Sequence, residues 1–335
     1  MPIVNRDAVI VRQFLQTASL AYRSKLYVAD RVFPIIDGLS AKAKVAKYLK
    51  GAWHRDSAEV RAPGTRPVSS SIKLSSHNLD PINYAFSSDV PDELIQESNV
   101  SGNFPLDPAL AAVEYNAQML DIKKEVRTSA VLQSTNWSGN SAPGVDAEGH
   151  WGDSTAANDT FLADIQTGKN TIIKNTGLMP NKLFLDYAAW EALQVAPALL
   201  ALMNPTSLTR EALVTAPALA ALIGVEEVII GAAVKNTDEE TVAGTEFTAS
   251  WIWGRSGANN SKGIGFLYYA PNTPSLMTPS AGYQYRVKGA SGEGRTTWTW
   301  RDEAARTTWY ATEENVDISA TGTDCGYMWY DTVTT

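Results

Sequence analysis

Three histidines, His54, His77 and His150, are the first residues to test for chemistry, because a metal site needs imidazole or thiolate ligands at short fixed spacings. No two of them lie three to five residues apart and none adjoins a fitting carboxylate cluster, so no zinc site is expected. Gly168-Lys169 looks like the end of a phosphate loop. The first glycine of that motif would fall at Ala163, and Asn170 stands where a Ser or Thr would hold magnesium, so the pair is a decoy inside a helical pattern. Gly263-Ile264-Gly265 lacks the third glycine of a dinucleotide loop, and no Gly-x-Ser-x-Gly elbow presents a nucleophilic serine. Cys325, the single cysteine, has no basic neighbour to lower its thiol pKa and reads as a small core residue in a strand pattern. One cysteine also excludes an internal disulfide framework. No cofactor is expected.

The remaining candidate is Asp186. Leu183-Phe184-Leu185-Asp186 runs into "YAAWEAL", and ligands of open α/β sheets bind where strand ends meet such helices. Asp186 can be read as the carboxylate of an α/β enzyme, or as the N-cap that accepts backbone N–H bonds from the helix. Capping is the preferred reading, since nothing nearby supplies a metal, a nucleophile or a phosphate cradle. Glu226-Glu227 and Asp238-Glu239-Glu240 read as solvated turns. Four of the ten tryptophans follow residue 297, where basic residues are too sparse for base stacking; packing between sheets is expected of them.

The elements around these residues come in a distinctive order. In residues 1–50 the apolar run "LYVADRVFPIID" around Pro34 suits an extended arm better than a helix interior. Residues 51–100 are polar, basic and turn-rich, centred on Arg-Ala-Pro-Gly-Thr-Arg-Pro (61–67). Ile72 and Leu74, then Ile82, Tyr84 and Phe86, alternate with polar residues, which predicts β structure. With so few apolar side chains this segment reads as a long projecting hairpin that must rest on another surface.

Asp107 as N-cap and Pro108 at the first position open a helix predicted over 108–132. It would be roughly 38 Å long at about 1.5 Å per residue. Leu110, Val113, Ala117 and Leu120 form one apolar stripe, and Tyr115, Met119, Ile122 and Val126 a second, so the helix packs on two sides. A Gly/Ser/Asn-rich loop (136–154), a second helix and an α/β lobe to about 285 follow. Within the lobe "LQVAPALLALM" (193–203) nearly repeats as "LVTAPALAALI" (213–223), predicting two short helices. The last fifty residues alternate aromatic and polar side chains and read as β.

At 335 residues, 44% of them hydrophobic, the chain can bury a substantial core. No apolar run reaches the roughly 18 residues of a membrane span. The N-terminus lacks the basic–apolar–small order of a signal peptide, so a cytosolic product is expected. The net charge of −8 hides an asymmetry. Residues 1–75 carry thirteen Lys or Arg against five Asp or Glu, a net of +8, and the remainder carries −16. The basic quarter reads three ways: a nucleic-acid arm, an extended segment lying on the acidic body of an identical neighbour, or scattered solvated lysines.

Taken together, the basic arm, "RAPGTRP", the strut helix, "NTGLMPNKLFLDYAAWEAL", "ALAALIGVEEVIIGAAV", "SWIWG" and the closing "DCGYMWYD" resemble the major capsid proteins of tailed double-stranded-DNA phages, with the fold named after phage Hong Kong 97. The resemblance covers nearly the whole chain. It implies an α+β subunit with an N-terminal arm (1–50), an extended E-loop hairpin (51–100) and a peripheral domain whose first part (101–180) carries the spine helix. An axial α/β domain (181–285) and C-terminal peripheral strands (286–335) complete it. It further implies pentamers and hexamers of one chain closing an icosahedral shell around DNA in a virion assembled in the host cytoplasm. DNA would be enclosed without sequence-specific binding, and no membrane would be involved. A portal protein, a possible decoration protein and a separate scaffolding protein would be partners, the last because arm-like sequence begins almost at Met1. Some relatives crosslink an E-loop lysine; Lys73 is the sole lysine of this hairpin and lies off its tip, so no crosslink is expected. The resemblance favours the second charge reading and places Arg55, Arg61, Arg66 and Lys73 at contacts between subunits. An encapsulin shell protein of the same fold is the close alternative, and an α/β enzyme with its site near Asp186 the distant one.

Overall fold

The computed structural model describes residues 26–39, 44–48, 54–69, 71, 74–99, 107–139, 143–203, 214–239, 248–254, 262–274, 278–287 and 294–334. Most of the expected arm, and Lys73, lie outside them. In chain order the elements are α1 (Ala29–Val32), β1 (Ile35–Leu39), β2 (Lys44–Tyr48), β3 (Leu74–Asn78), β4 (Ile82–Pro91), α2 (Asp92–Asn99) and α3 (Pro108–Ser134). After a 3-10 turn at Trp137–Gly139 come β5 (Val145–Asp146), α4 (Phe161–Thr176), β6 (Lys182–Asp186), α5 (Tyr187–Gln194), α6 (Pro197–Met203) and α7 (Ala216–Ile223). The chain closes with β7 (Glu227–Gly231), β8 (Val234–Asn236), β9 (Ala249–Trp251), β10 (Ile264–Tyr268), β11 (Gly282–Val287), β12 (Arg295–Asp302), β13 (Thr307–Ala320) and β14 (Gly326–Tyr330).

Two five-stranded sheets organise these elements. The first is built on β13, a 14-residue strand. β4 lies antiparallel along one of its edges, over 307–316. β12 and then β11 share the other edge, and β1 adds parallel to β11. The helix α3 crosses one face of this sheet, where Ala112 and Val113 meet Val90 and Tyr310. At 27 residues it is two longer than the sequence predicts. Its buried face is not only the expected stripe: past Leu120 it continues through Asp121, Lys124, Glu125, Thr128 and Ser129. Tyr115, from the second expected stripe, is about half exposed.

The second sheet runs β5-β14-β10-β6-β7. Its strands alternate strictly between two cores, as a pleated strand must. Leu183, Leu185, Leu267, Tyr327 and Trp329 face the helices α4 to α7. Phe184, Phe266, Tyr268 and Met328 face Trp137, Trp253, the end of α3 and the arm residues Val28, Val32 and Phe33. Covering on both sides explains why Leu183-Phe184-Leu185 is an unbroken apolar run. The motif glycines are packing devices. A Cβ on Gly168 would stand 2.6 Å from the Trp329 ring, and one on Gly265 would stand 2.3 Å from Trp151.

Several expectations change. The apolar run around Pro34 is not wholly extended, because Ala29–Val32 form a helical turn before β1. The two-stranded ladder of the hairpin begins at Lys44, paired with Asn78, so it straddles the expected boundary at 50. Cys325 is buried in a 3-10 turn, Thr323–Cys325, rather than in a strand. The near-repeat does form two short helices, α6 and α7. Among the C-terminal tryptophans Trp329 is core, but Trp300 and Trp309 stack flat on each other at 5.7 Å with Trp300 43% exposed.

Candidate assembly surface

The hairpin supplies the most exposed stretch of the described chain. Every residue from 54 to 69 is exposed. Its tip is a tight turn: Thr65 N–H donates to Ala62 O at 3.2 Å, Pro63 takes the second position and Gly64 the third with φ +83°. That is the type II pattern, in which the third position requires φ > 0. Arg61 Nε donates to Thr65 O at 2.5 Å, bracing the tip. Arg55, Arg61 and Arg66 all point into solvent, alongside the exposed apolar Val60 and Val68. No carboxylate of the same subunit pairs with these three arginines among the described residues.

Where the α1 segment meets α3 and the first sheet, the joint is polar and largely buried. Lys124 Nζ lies 2.8 Å from Glu314 and 3.4 Å from Asp30. Arg295 lies 2.7 Å from Asp121 and 3.3 Å from Glu314. One ionic cluster thus ties the α1 segment, α3, β12 and β13. Burial alone would raise the Glu314 carboxyl, but Lys124 and Arg295 outweigh it and hold it down to about 2. Glu125, one position along α3, accepts N–H bonds from Val28 at 2.5 Å, Ala29 at 2.6 Å and the Trp253 indole at 2.6 Å. Burial pushes its carboxyl up to about 7 in spite of these donors. On the surface Arg31 and Lys182 both pair with Glu227, at 2.6 and 3.3 Å, so Glu227 is an anchor of the α1 segment rather than a solvated turn. The sequence holds one signal for the buried cluster: polar residues 121, 124 and 128 continue the helical spacing of Val113, Ala117 and Leu120.

The two expected caps sit at helix starts. Asp107 Oδ1 accepts from Ala109 N at 3.0 Å and Leu110 N at 3.4 Å. Asp186 Oδ1 accepts from Ala189 N at 3.1 Å and from Ile264 N at 3.0 Å, so it joins α5 to the start of β10 as well as capping. It is 1% exposed, and burial pushes its carboxyl up to about 7. A surface depression of about 250 Å³ lined by Asp146, Glu148, Lys262 and Asp331 lies elsewhere. Among the described residues no cluster of His, Cys, Asp and Glu could hold a metal ion, and no helix is long and apolar enough to cross a membrane.

No protein-family model matches this sequence, and no curated protein sequence matches it significantly. Solved structures do match. The crystal structure of a phage-related protein from Bordetella bronchiseptica RB50 is similar with a TM-score of 0.71 and 21% identity, over 97% of this chain and 98% of that one. The mature capsid of bacteriophage PhiM1 is similar at TM-score 0.54 and 12% identity, covering 92% and 87%. The holo-SrpI encapsulin complex from Synechococcus elongatus PCC 7942 is similar at TM-score 0.52 and 12% identity, covering 96% of each chain. At such identities it is the fold that is shared, over nearly the full length, and this chain has the α+β Hong Kong 97-type fold of phage capsid structures.

Proposed function

We propose that this chain is the major capsid protein of a tailed double-stranded-DNA phage, a structural subunit that assembles into pentamers and hexamers of an icosahedral shell. The observation that carries the reading is the loop 54–69: exposed throughout, with three arginines that pair with no carboxylate among the described residues, on a fold found in shell structures. A loop so exposed gains little from its own subunit for the entropy of holding it out, so it acts when a neighbour covers it. Individual exposed ion pairs contribute only about 0–1 kcal/mol. A shell multiplies such weak contacts over many copies, and each copy already held in place raises the effective concentration for the next contact. The remainder of the chain, at −16, repels phosphate and keeps the packaged DNA from sticking to the wall. A scaffolding protein, a portal and a decoration protein belong to this proposal as partners, the virion as its location and the host cytoplasm as the place of assembly. Asp186, sealed and committed to two N–H donors, gives the enzyme reading no open carboxylate.

A nanocompartment shell is the second reading, favoured by the similarity to the SrpI encapsulin complex. Electron microscopy of the protein expressed alone and with its neighbouring genes tests both. Hollow shells or rings are expected. A monomer or dimer under every condition would overturn the shell reading. Shells purified with protein cargo and no DNA would transfer it to a nanocompartment.

A further inference from the structure

The two faces of the first sheet are covered unequally. On one, Tyr310 packs on Val113 of α3 and Glu314 meets Lys124 of the same helix. Alternation along β13 puts Trp309, Ala311, Glu313 and Asp317 on the other. One end of that second face is covered: Leu79 packs on Tyr283 and Tyr285, and Asp80 N–H donates to Asp317 at 3.2 Å. The opposite end is open, with Ala85, Ser87, Asp89 and Trp300 all exposed.

Strand pairing sets three residues of this open end in one row, Asp89 opposite Trp309 and Trp309 opposite Trp300. Residues directly opposed in this way have Cβ atoms about 4.5–5.5 Å apart. The next row, Ser87, Ala311 and Trp298, puts small side chains beside a third ring. Trp300 and Trp309 lie within 4° of parallel, so they make a flat-sided stack rather than a cage. The rim is acidic. No side-chain hydrogen bond or ion pair engages Asp89 among the described residues. Glu313 lies on the same face, where it accepts from Asn83 at 2.9 Å, and Asp302 and Glu303 follow β12 into its turn. The cations of that turn are directed elsewhere: Arg301 holds Asp92 bidentately at 2.9 and 2.7 Å, and Arg306 lies by Asp92 too.

Aromatic faces attract cations, and tryptophan does so most strongly. A guanidinium is planar, stacks on a ring and grips a carboxylate with its fork, whereas an ammonium is a compact point charge. We infer that the open end of this face docks an arginine-bearing segment of a separate protein, one guanidinium stacking on the Trp300–Trp309 pair and pairing with Asp89. The inference goes beyond the shell reading and stands apart from it.

Fluorescence anisotropy of a labelled tetra-arginine peptide on the full-length protein tests it, with tetra-citrulline as the uncharged isostere and tetra-lysine as the point-charge comparator. Trp300→Ala and Asp89→Asn should each weaken tetra-arginine binding about fivefold or more while melting like the parent. Trp300→Phe, which keeps a ring, should lose less. Glu148→Gln, which removes one exposed carboxylate beside the second sheet, should bind like the parent. Tetra-lysine should bind more weakly and tetra-citrulline not at all. Equal losses in Asp89→Asn and Glu148→Gln, or full binding by Trp300→Ala, would reduce the effect to the general acidity of the chain and overturn the inference. Maltoheptaose binding that is lost in Trp300→Ala would make this a face for neutral sugars, and loss of particles in Trp300→Ala a contact between copies; either result also overturns it. The expected losses in a parent that forms no shells would sink the shell reading and leave this inference standing.

Discussion

Asp186 is a carboxylate whose position in the sequence announces a cap but not its second duty. The cap follows from an aspartate placed directly before "YAAWEAL". The bond to Ile264 N spans 78 residues and depends on β6 and β10 lying side by side. Asp186→Ala removes an acceptor shared by two buried N–H groups, and a loss of about 2–4 kcal/mol is expected in urea unfolding. Asp186→Asn keeps an acceptor oxygen and should cost less than half of that. The pH response differs too. Its carboxyl is raised from an ordinary 3.8 to about 7, so between those values the folded chain holds a proton that the unfolded chain has released. Stability from this group is full below pH 4 and falls as pH rises toward 7. Unfolding at pH 5 and at pH 7.5 should differ less in Asp186→Asn than in the parent. Glu125, raised in the same direction, keeps part of the difference. An unchanged pH profile in Asp186→Asn would show that Asp186 does not titrate in this range.

At the scale of elements, caps and periods place α3 within two residues of its observed end, because Asp107, Pro108 and the spacing of Val113, Ala117 and Leu120 all act within a few turns. The polar continuation of the same face was not legible as a core. Among the described residues the acids that pair with buried Lys124 are Asp30 and Glu314, which lie 94 and 190 positions away in the chain. Lys124→Met should cost about 3–5 kcal/mol, since it leaves buried acids short of a cation. Acid sensitivity should shift as well. Glu314 is depressed from 4.5 to about 2, so its contribution is present above pH 4.5 and lost as pH falls toward 2. Without Lys124 that loss begins at higher pH. Thermal melting followed from pH 7 down to pH 2 checks both effects, and a variant that melts like the parent would show that the cluster does not hold these elements together.

At the scale of the whole molecule, the proposed shell role assigns folding and assembly to separate parts of the chain. The two sheets bury their apolar strands within one subunit, whereas Arg55, Arg61 and Arg66 lie in solvent. Reversing all three to Glu should leave the melting transition within about 0.5 kcal/mol of the parent. The same variant should fail to form particles by electron microscopy and size-exclusion chromatography. Full assembly of the triple variant would remove these arginines from the contacts. Raised salt should weaken parent assembly in the same direction, because exposed ion pairs are screened within about 8–10 Å at physiological ionic strength.

By itself the sequence determined whatever is decided within a few residues: the cap and proline that start α3, the Pro-Gly turn of the hairpin tip, the alternation of β4, the decoy character of Gly168-Lys169, and the imbalance of charge between the first quarter and the rest. The order of these pieces was enough for the resemblance to the capsid fold. Only the tertiary structure decided that Gly265 makes room for Trp151, that Glu125 holds the α1 segment, that Glu314 is shared by Lys124 and Arg295, and that Asp89, Trp309 and Trp300 share one row of a sheet. Each of these depends on residues far apart in the chain meeting at a few ångströms. Spacing along the chain encodes helical and strand periods, but not which distant side chain or strand edge will lie opposite.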